Sequence, residues 1–66
     1  LLAHCINYRD KWTEKENPKH HERWNHVMAL IERKDIGAAI AYAKTHADKG
    51  WGAWIAVREM LKKLED

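Results

Sequence analysis

The 66-residue chain has no serine, no glutamine and no phenylalanine, and only one cysteine, one proline and three glycines. Without serine, serine-nucleophile hydrolysis is excluded. A single cysteine excludes an intrachain disulfide, and with it a disulfide-stapled secreted scaffold. It points instead to a reducing, cytoplasmic or otherwise intracellular setting. No apolar run approaches the roughly 18–20 residues that a membrane span needs, and no signal-peptide pattern is present, so no membrane association is expected. Charge of one sign is also scarce. Twelve Lys and Arg against ten Asp and Glu leave a net +2 and a pI near 8.8. A dominant phosphate-binding role does not follow from a balance that even. The opening Leu1-Leu2, without methionine, reads as a processed or internal start.

What is present is 45% hydrophobic and 33% charged, with four tryptophans, a globular rather than a disordered composition. Residues 1–66 are expected to form one helical domain. Below about 70–80 residues a core supplies only a few kcal/mol. Four indoles help, since each aromatic buries about 150–250 Å².

Periodicity predicts an all-α fold of four short helices arranged as two antiparallel hairpins. Leu1, Cys5, Tyr8 and Trp12 form one stripe, giving a first helix from Leu1 to about Glu16. Asn17 then caps and Pro18 opens a second helix to about Arg33, with Trp24, Val27, Met28 and Ile31 on its apolar face. Asp35 caps a third helix from Ile36 to about Ala47. Its stripe of Ile36, Ala39, Ile40, Ala43 and Ala47 is small enough to let a neighbour approach closely. Gly50 closes it as a left-handed cap. The last helix runs from about Trp51 to Glu65, with Trp54, Val57, Leu61 and Leu64 inward and Glu59 paired with Lys63 outside. No segment alternates as a strand does.

Trp24-x-x-Val27-x-x-Leu30-Ile31 recurs thirty residues later as Trp54-x-x-Val57-x-x-Met60-Leu61. Ile6 and Ile36, and Trp12 and Tyr42, match at the same offset. Two copies are fewer than helical arrays use, and any two amphipathic helices share such spacing. The simpler reading is a common packing pattern.

Five histidines invite a metal reading, but His20, His21 and His26 point in three directions on one helix. They lack the i, i+4 pairing of zinc-protease helices. A site drawn from His4, Cys5 and His46 would lack the paired ligand spacings zinc favours. No metal and no cofactor are expected. Cys5 lies on the core stripe, where a thiol is inert. Carboxylates sit among cations on outward faces, and no pair is set apart as acid and base. No glycine-rich phosphate loop occurs. The sequence therefore predicts no enzyme activity.

The informative surface is on the last helix. Trp51, Ile55, Arg58 and Lys62 fall at i, i+4, i+7 and i+11, off the core stripe. Tyr42 and His46 leave the stripe of the third helix one turn apart. Trp, Tyr and Arg dominate interface energetics, so these six residues are the candidate binding set. The competing structural reading has Trp51 packed on the first helix. The leading expectation is a protein-interaction module for a partner with an acidic surface. The alternative is a small nucleic-acid-binding domain, with aromatic stacking and helix-4 cations on phosphates. Self-association through the same strip is a third possibility.

Overall fold

The computed structural model describes residues 1–65, the last by its backbone alone. The fold is all-α: α1 (Leu2–Arg9), α2 (Pro18–Glu32), α3 (Ile36–Ala47) and α4 (Gly52–Glu65), with no strand among the described residues. α1 packs on α2 and α3 on α4, giving two hairpins. The hairpins close on each other through α2 against α3 and α1 against α4, so the helices form a ring of neighbours.

Local chemistry sets the boundaries. Asn17 Oδ1 accepts from His20 N at 3.2 Å, and Pro18 stands at the first helical position, where its missing N–H costs nothing. Asp35 Oδ1 accepts from Ala38 N at 3.4 Å and starts α3. Gly50 has φ +84°, and its N–H donates to Ala47 O at 2.9 Å. The α2–α3 junction uses the same left-handed device without glycine, with Lys34 at φ 61°.

The first helix ends at Arg9, well short of Glu16. Two histidines account for part of this. In a continuing helix Tyr8 O would accept from residue 12 and Trp12 O from residue 16. Instead His20 Nε2–H donates to Tyr8 O at 2.6 Å, and His21 Nε2–H donates to Trp12 O. Thr13 and Glu16 complete the break. Glu16 Oε1 accepts from both Thr13 N and Thr13 Oγ1, while Thr13 Oγ1 accepts from Glu16 N. This reciprocal box satisfies the backbone locally and competes with helix. The two bonds from Thr13 also lower the Glu16 carboxyl below its ordinary range. Residues 10–17 thus form a pinned connection that carries Lys11 and Trp12.

The core holds Cys5, Trp24, Val27, Met28, Ala39, Ala43, Ala47, Trp54, Val57 and Leu61. Ala39, Ala43 and Ala47 repeat every fourth residue and give α3 a flat inner strip, against which α4 makes the most extensive helix contact of the fold. Leu64 is not in the core; it is 59% exposed. Glu59 pairs with Arg58 at 3.3 Å, and a Glu59–Lys63 pair is absent among the described residues. Trp24 and Trp54, with Val27 and Val57, are buried at matching positions of α2 and α4. The likeness stops at the core. α1 has 8 residues against 12 in α3, and exposed Trp12 corresponds to half-buried Tyr42.

No helix of the described residues is long and apolar enough to cross a membrane.

Candidate functional site

A groove of about 330 Å³ lies where the 10–17 connection, the first turns of α2 and the start of α4 meet. All four tryptophans of the chain line it. Trp24 and Trp54 form its floor; they are almost wholly buried and stack with centroids 4.0 Å apart. Tyr8 extends the floor, 5.8 Å from Trp24 and inclined by 18°. Trp12 and Trp51 stand at the rims, 43% and 38% exposed.

Each rim tryptophan carries cations. Lys11 Nζ lies 5.3 Å from the Trp12 ring centroid. Arg23 Cζ lies 5.0 Å and Lys49 Nζ 5.4 Å from that of Trp51. Such contacts hold a cation over an aromatic face for about 0.5–1 kcal/mol at exposed sites. No Asp or Glu lines the groove. The ion pairs among the described residues, Arg9–Asp10 and Arg58–Glu59, lie outside its lining. Among the described residues Lys11, Arg23 and Lys49 therefore have no ion-pair partner. The nearly neutral total charge conceals a groove of a single sign.

Trp51 is tied to the residues that follow it and to α3. Its carbonyl accepts from Trp54 N and Ile55 N at 3.0 and 3.1 Å, which ties it to the first turn of α4. His46 stacks on its indole with planes 4° apart and centroids separated by 5.6 Å. His46 is itself only 7% exposed, so it does not contribute to the outer surface as the sequence led us to expect. Residue 46 lies beside Ala43 and Ala47 on α3, and the indoles of Trp51, just before α4, and of Trp54 cover it. Both ring nitrogens lack a hydrogen-bond partner among the described residues. Burial first, then the positive charge of Lys49 and Arg23, lowers the His46 pKa and keeps the ring neutral.

The remaining expected residues divide. Ile55 is 38% exposed and Lys62 is exposed. Arg58 is half-buried and its Nε has no partner. Tyr42 is half-buried, 4.3 Å from His26 and 5.8 Å from Trp54. Burial raises its phenol pKa, against the opposing influence of Arg23. Of the six, Trp51 alone lines the groove; Tyr42 and His46 stand behind it, and Ile55, Arg58 and Lys62 continue along α4.

Trp12, Lys11, His20 and Arg23 are the residues that the periodicity did not single out. Trp12 fitted the stripe of an overlong first helix and so counted as core. The signal that could have found it is the Thr13-x-x-Glu16 box immediately after it, which breaks the helix and leaves the indole outside.

Elsewhere the chemistry is quiet. Cys5 is fully buried, and burial pushes its thiol up to about 11. Among the described residues no three His, Cys, Asp or Glu side chains converge as metal ligands would. No known protein family matches the chain, and comparison with curated proteins and with solved structures finds no similar protein.

Proposed function

We propose that the chain is a non-catalytic interaction module that binds an acidic region of a partner protein through this groove and the adjoining Trp51–Ile55–Arg58–Lys62 strip. The observation that carries the reading is the pairing of two exposed tryptophans with three cations that have no ion pair among the described residues, around a groove without a carboxylate in its lining. Exposed indoles supply interface energy, and unopposed cations select and orient an acidic partner. Catalysis has no support here, since the thiol is buried and His20 has no carboxylate beside it in the groove. The free Cys5 suits a reducing, intracellular setting.

Single-stranded nucleic acid is the second reading, because cationic grooves with aromatic side chains also bind it. The surroundings of Trp51 count against it. His46, Arg23 and Lys49 already occupy space around that indole, and a base would have to displace them to stack.

The test is an NMR titration that follows the indole N–H signals of Trp12 and Trp51. The probes are a short Asp-rich peptide carrying apolar residues, and oligothymidylate. Saturable shifts with the peptide, and weaker binding of the oligonucleotide, support the proposal. Tighter oligonucleotide binding with a steep salt dependence replaces it with the second reading. Shifts that depend only on protein concentration assign the surface to a second copy of the chain.

A further inference from the structure

Most of the groove's lining is aromatic, yet its edge is cationic, and the two features ask for different things from one ligand. The floor of Trp24 and Trp54 is aromatic and almost wholly buried. A volume of about 330 Å³ is at the lower end of the range for small-ligand pockets. It suits one bulky side chain rather than an extended molecule. Trp12 and Trp51 both line the groove and are exposed. A side chain seated against them removes apolar surface from water on the ligand and on the parts of the two indoles that remain exposed.

Arg23 completes the arrangement. It lines the same groove and sits over the Trp51 ring, and it has no ion pair or side-chain hydrogen bond among the described residues. Its guanidinium is placed by a face contact, which leaves its N–H donors unspent. A guanidinium so placed presents a fork that matches a carboxylate with two parallel hydrogen bonds. Lys11 and Lys49 add charge without that geometry.

We propose that the groove seats one large apolar side chain of an acidic partner segment against the exposed parts of Trp12 and Trp51, while a neighbouring carboxylate of the same segment is held by the Arg23 fork. This rests on the reading of the groove as a protein-binding surface and adds the identity of the anchor to it. The ligand is then a short acidic peptide motif with one obligatory bulky residue, not a diffuse acidic surface.

The experiment uses a synthetic peptide with a single phenylalanine flanked by aspartates, together with its Phe→Ala and Asp→Asn forms. Affinities are measured by calorimetry against the intact chain and its Arg23→Lys variant, whose folding is checked by circular dichroism. The expected result is a loss of roughly tenfold or more for each peptide change, about 1.4 kcal/mol per tenfold. Arg23→Lys weakens the parent peptide but adds little to the Asp→Asn loss, a non-additivity that reports direct contact. Equal affinity of the Phe and Ala peptides overturns the anchor while leaving acidic-partner binding in place. Strict additivity of Arg23→Lys with Asp→Asn overturns the fork. No binding of the parent peptide, with the Trp12 and Trp51 signals unmoved, overturns this proposal and the reading beneath it together.

Discussion

The indoles of Trp24 and Trp54 stack at 4.0 Å with their planes 16° apart, joining α2 to α4 across the centre of the bundle. Both rings are buried, at 1% and 3% exposure, and both lie under the groove. The same pair is therefore the middle of the core and the floor of the candidate site. Large-to-small changes at buried tryptophan cost about 3–5 kcal/mol, close to everything a core of this size supplies. Trp54→Ala is expected to leave the chain largely unfolded at room temperature. Trp54→Phe, which keeps an aromatic face over Trp24, should still fold with a lowered melting temperature. Thermal circular dichroism of the two variants checks both statements, and a cooperative native-like melt of Trp54→Ala would refute the first.

The four helices and most of the core were legible because residues such as Trp24, Val27, Met28, Trp54, Val57 and Leu61 follow helical period. The groove was not, because it is made by departures from period. Trp12 has helical spacing from Tyr8, but His20, His21 and the Thr13–Glu16 box take over the hydrogen bonds that would have continued α1. His46 was misplaced for a related reason. Its position on α3 is set off from the alanine stripe, and the start of α4, folding back over it with Trp51 and Trp54, helps to bury it. Angular position on a helix does not report what a neighbouring chain segment covers.

His46 carries a pH dependence whose sign follows from its surroundings. Burial, Lys49 and Arg23 lower its pKa below the ordinary 6.5. Between the lowered value and about 6.5 the unfolded chain holds more protons than the folded one, so stability rises with pH there. The contribution is complete above about 6.5 and is lost as pH falls below it. Substituting phenylalanine keeps a flat ring against Trp51 and removes two buried nitrogens that have no partner. Leaving such groups unsatisfied costs about 1–3 kcal/mol. His46→Phe is expected to raise the midpoint of urea unfolding and to flatten its dependence between pH 7 and pH 5. A midpoint that is unchanged, with the acid slope intact, would place the source of that slope elsewhere.

Cys5 should behave as core rather than as chemistry. It is fully buried in the first helix and its thiol is raised to about 11, whereas reactive thiols are exposed and lowered. At neutral pH the folded chain should react with a thiol-specific disulfide reagent only as fast as it opens, and immediately in denaturant. Rapid stoichiometric labelling of the native chain at neutral pH would contradict this burial.

Two left-handed residues close α2 and α3, and they predict opposite effects of substitution. At the end of α2, Lys34 has φ 61°. Its N–H bonds Ile31 O and the Asp35 N–H bonds Leu30 O, both at 3.0 Å, the paired closure that glycine usually provides. A side chain in that region costs about 1–2 kcal/mol, partly offset by the smaller unfolded-state entropy of a non-glycine residue. Lys34→Gly is expected to stabilise the fold by about 0.5–1 kcal/mol. Gly50, at φ +84°, has open space where a Cβ would go, so Gly50→Ala meets no steric neighbour and pays only for the backbone. That change should destabilise by about 1 kcal/mol. It should also reach the groove, because Gly50 lies between Lys49 and Trp51 and sets the turn that brings both to the rim. Chemical denaturation measures the two stabilities, and the Trp51 indole signal reports the rim. A shifted signal in Gly50→Ala and an unshifted one in Lys34→Gly is the pattern expected if the α3–α4 turn, and not general stability, positions Trp51.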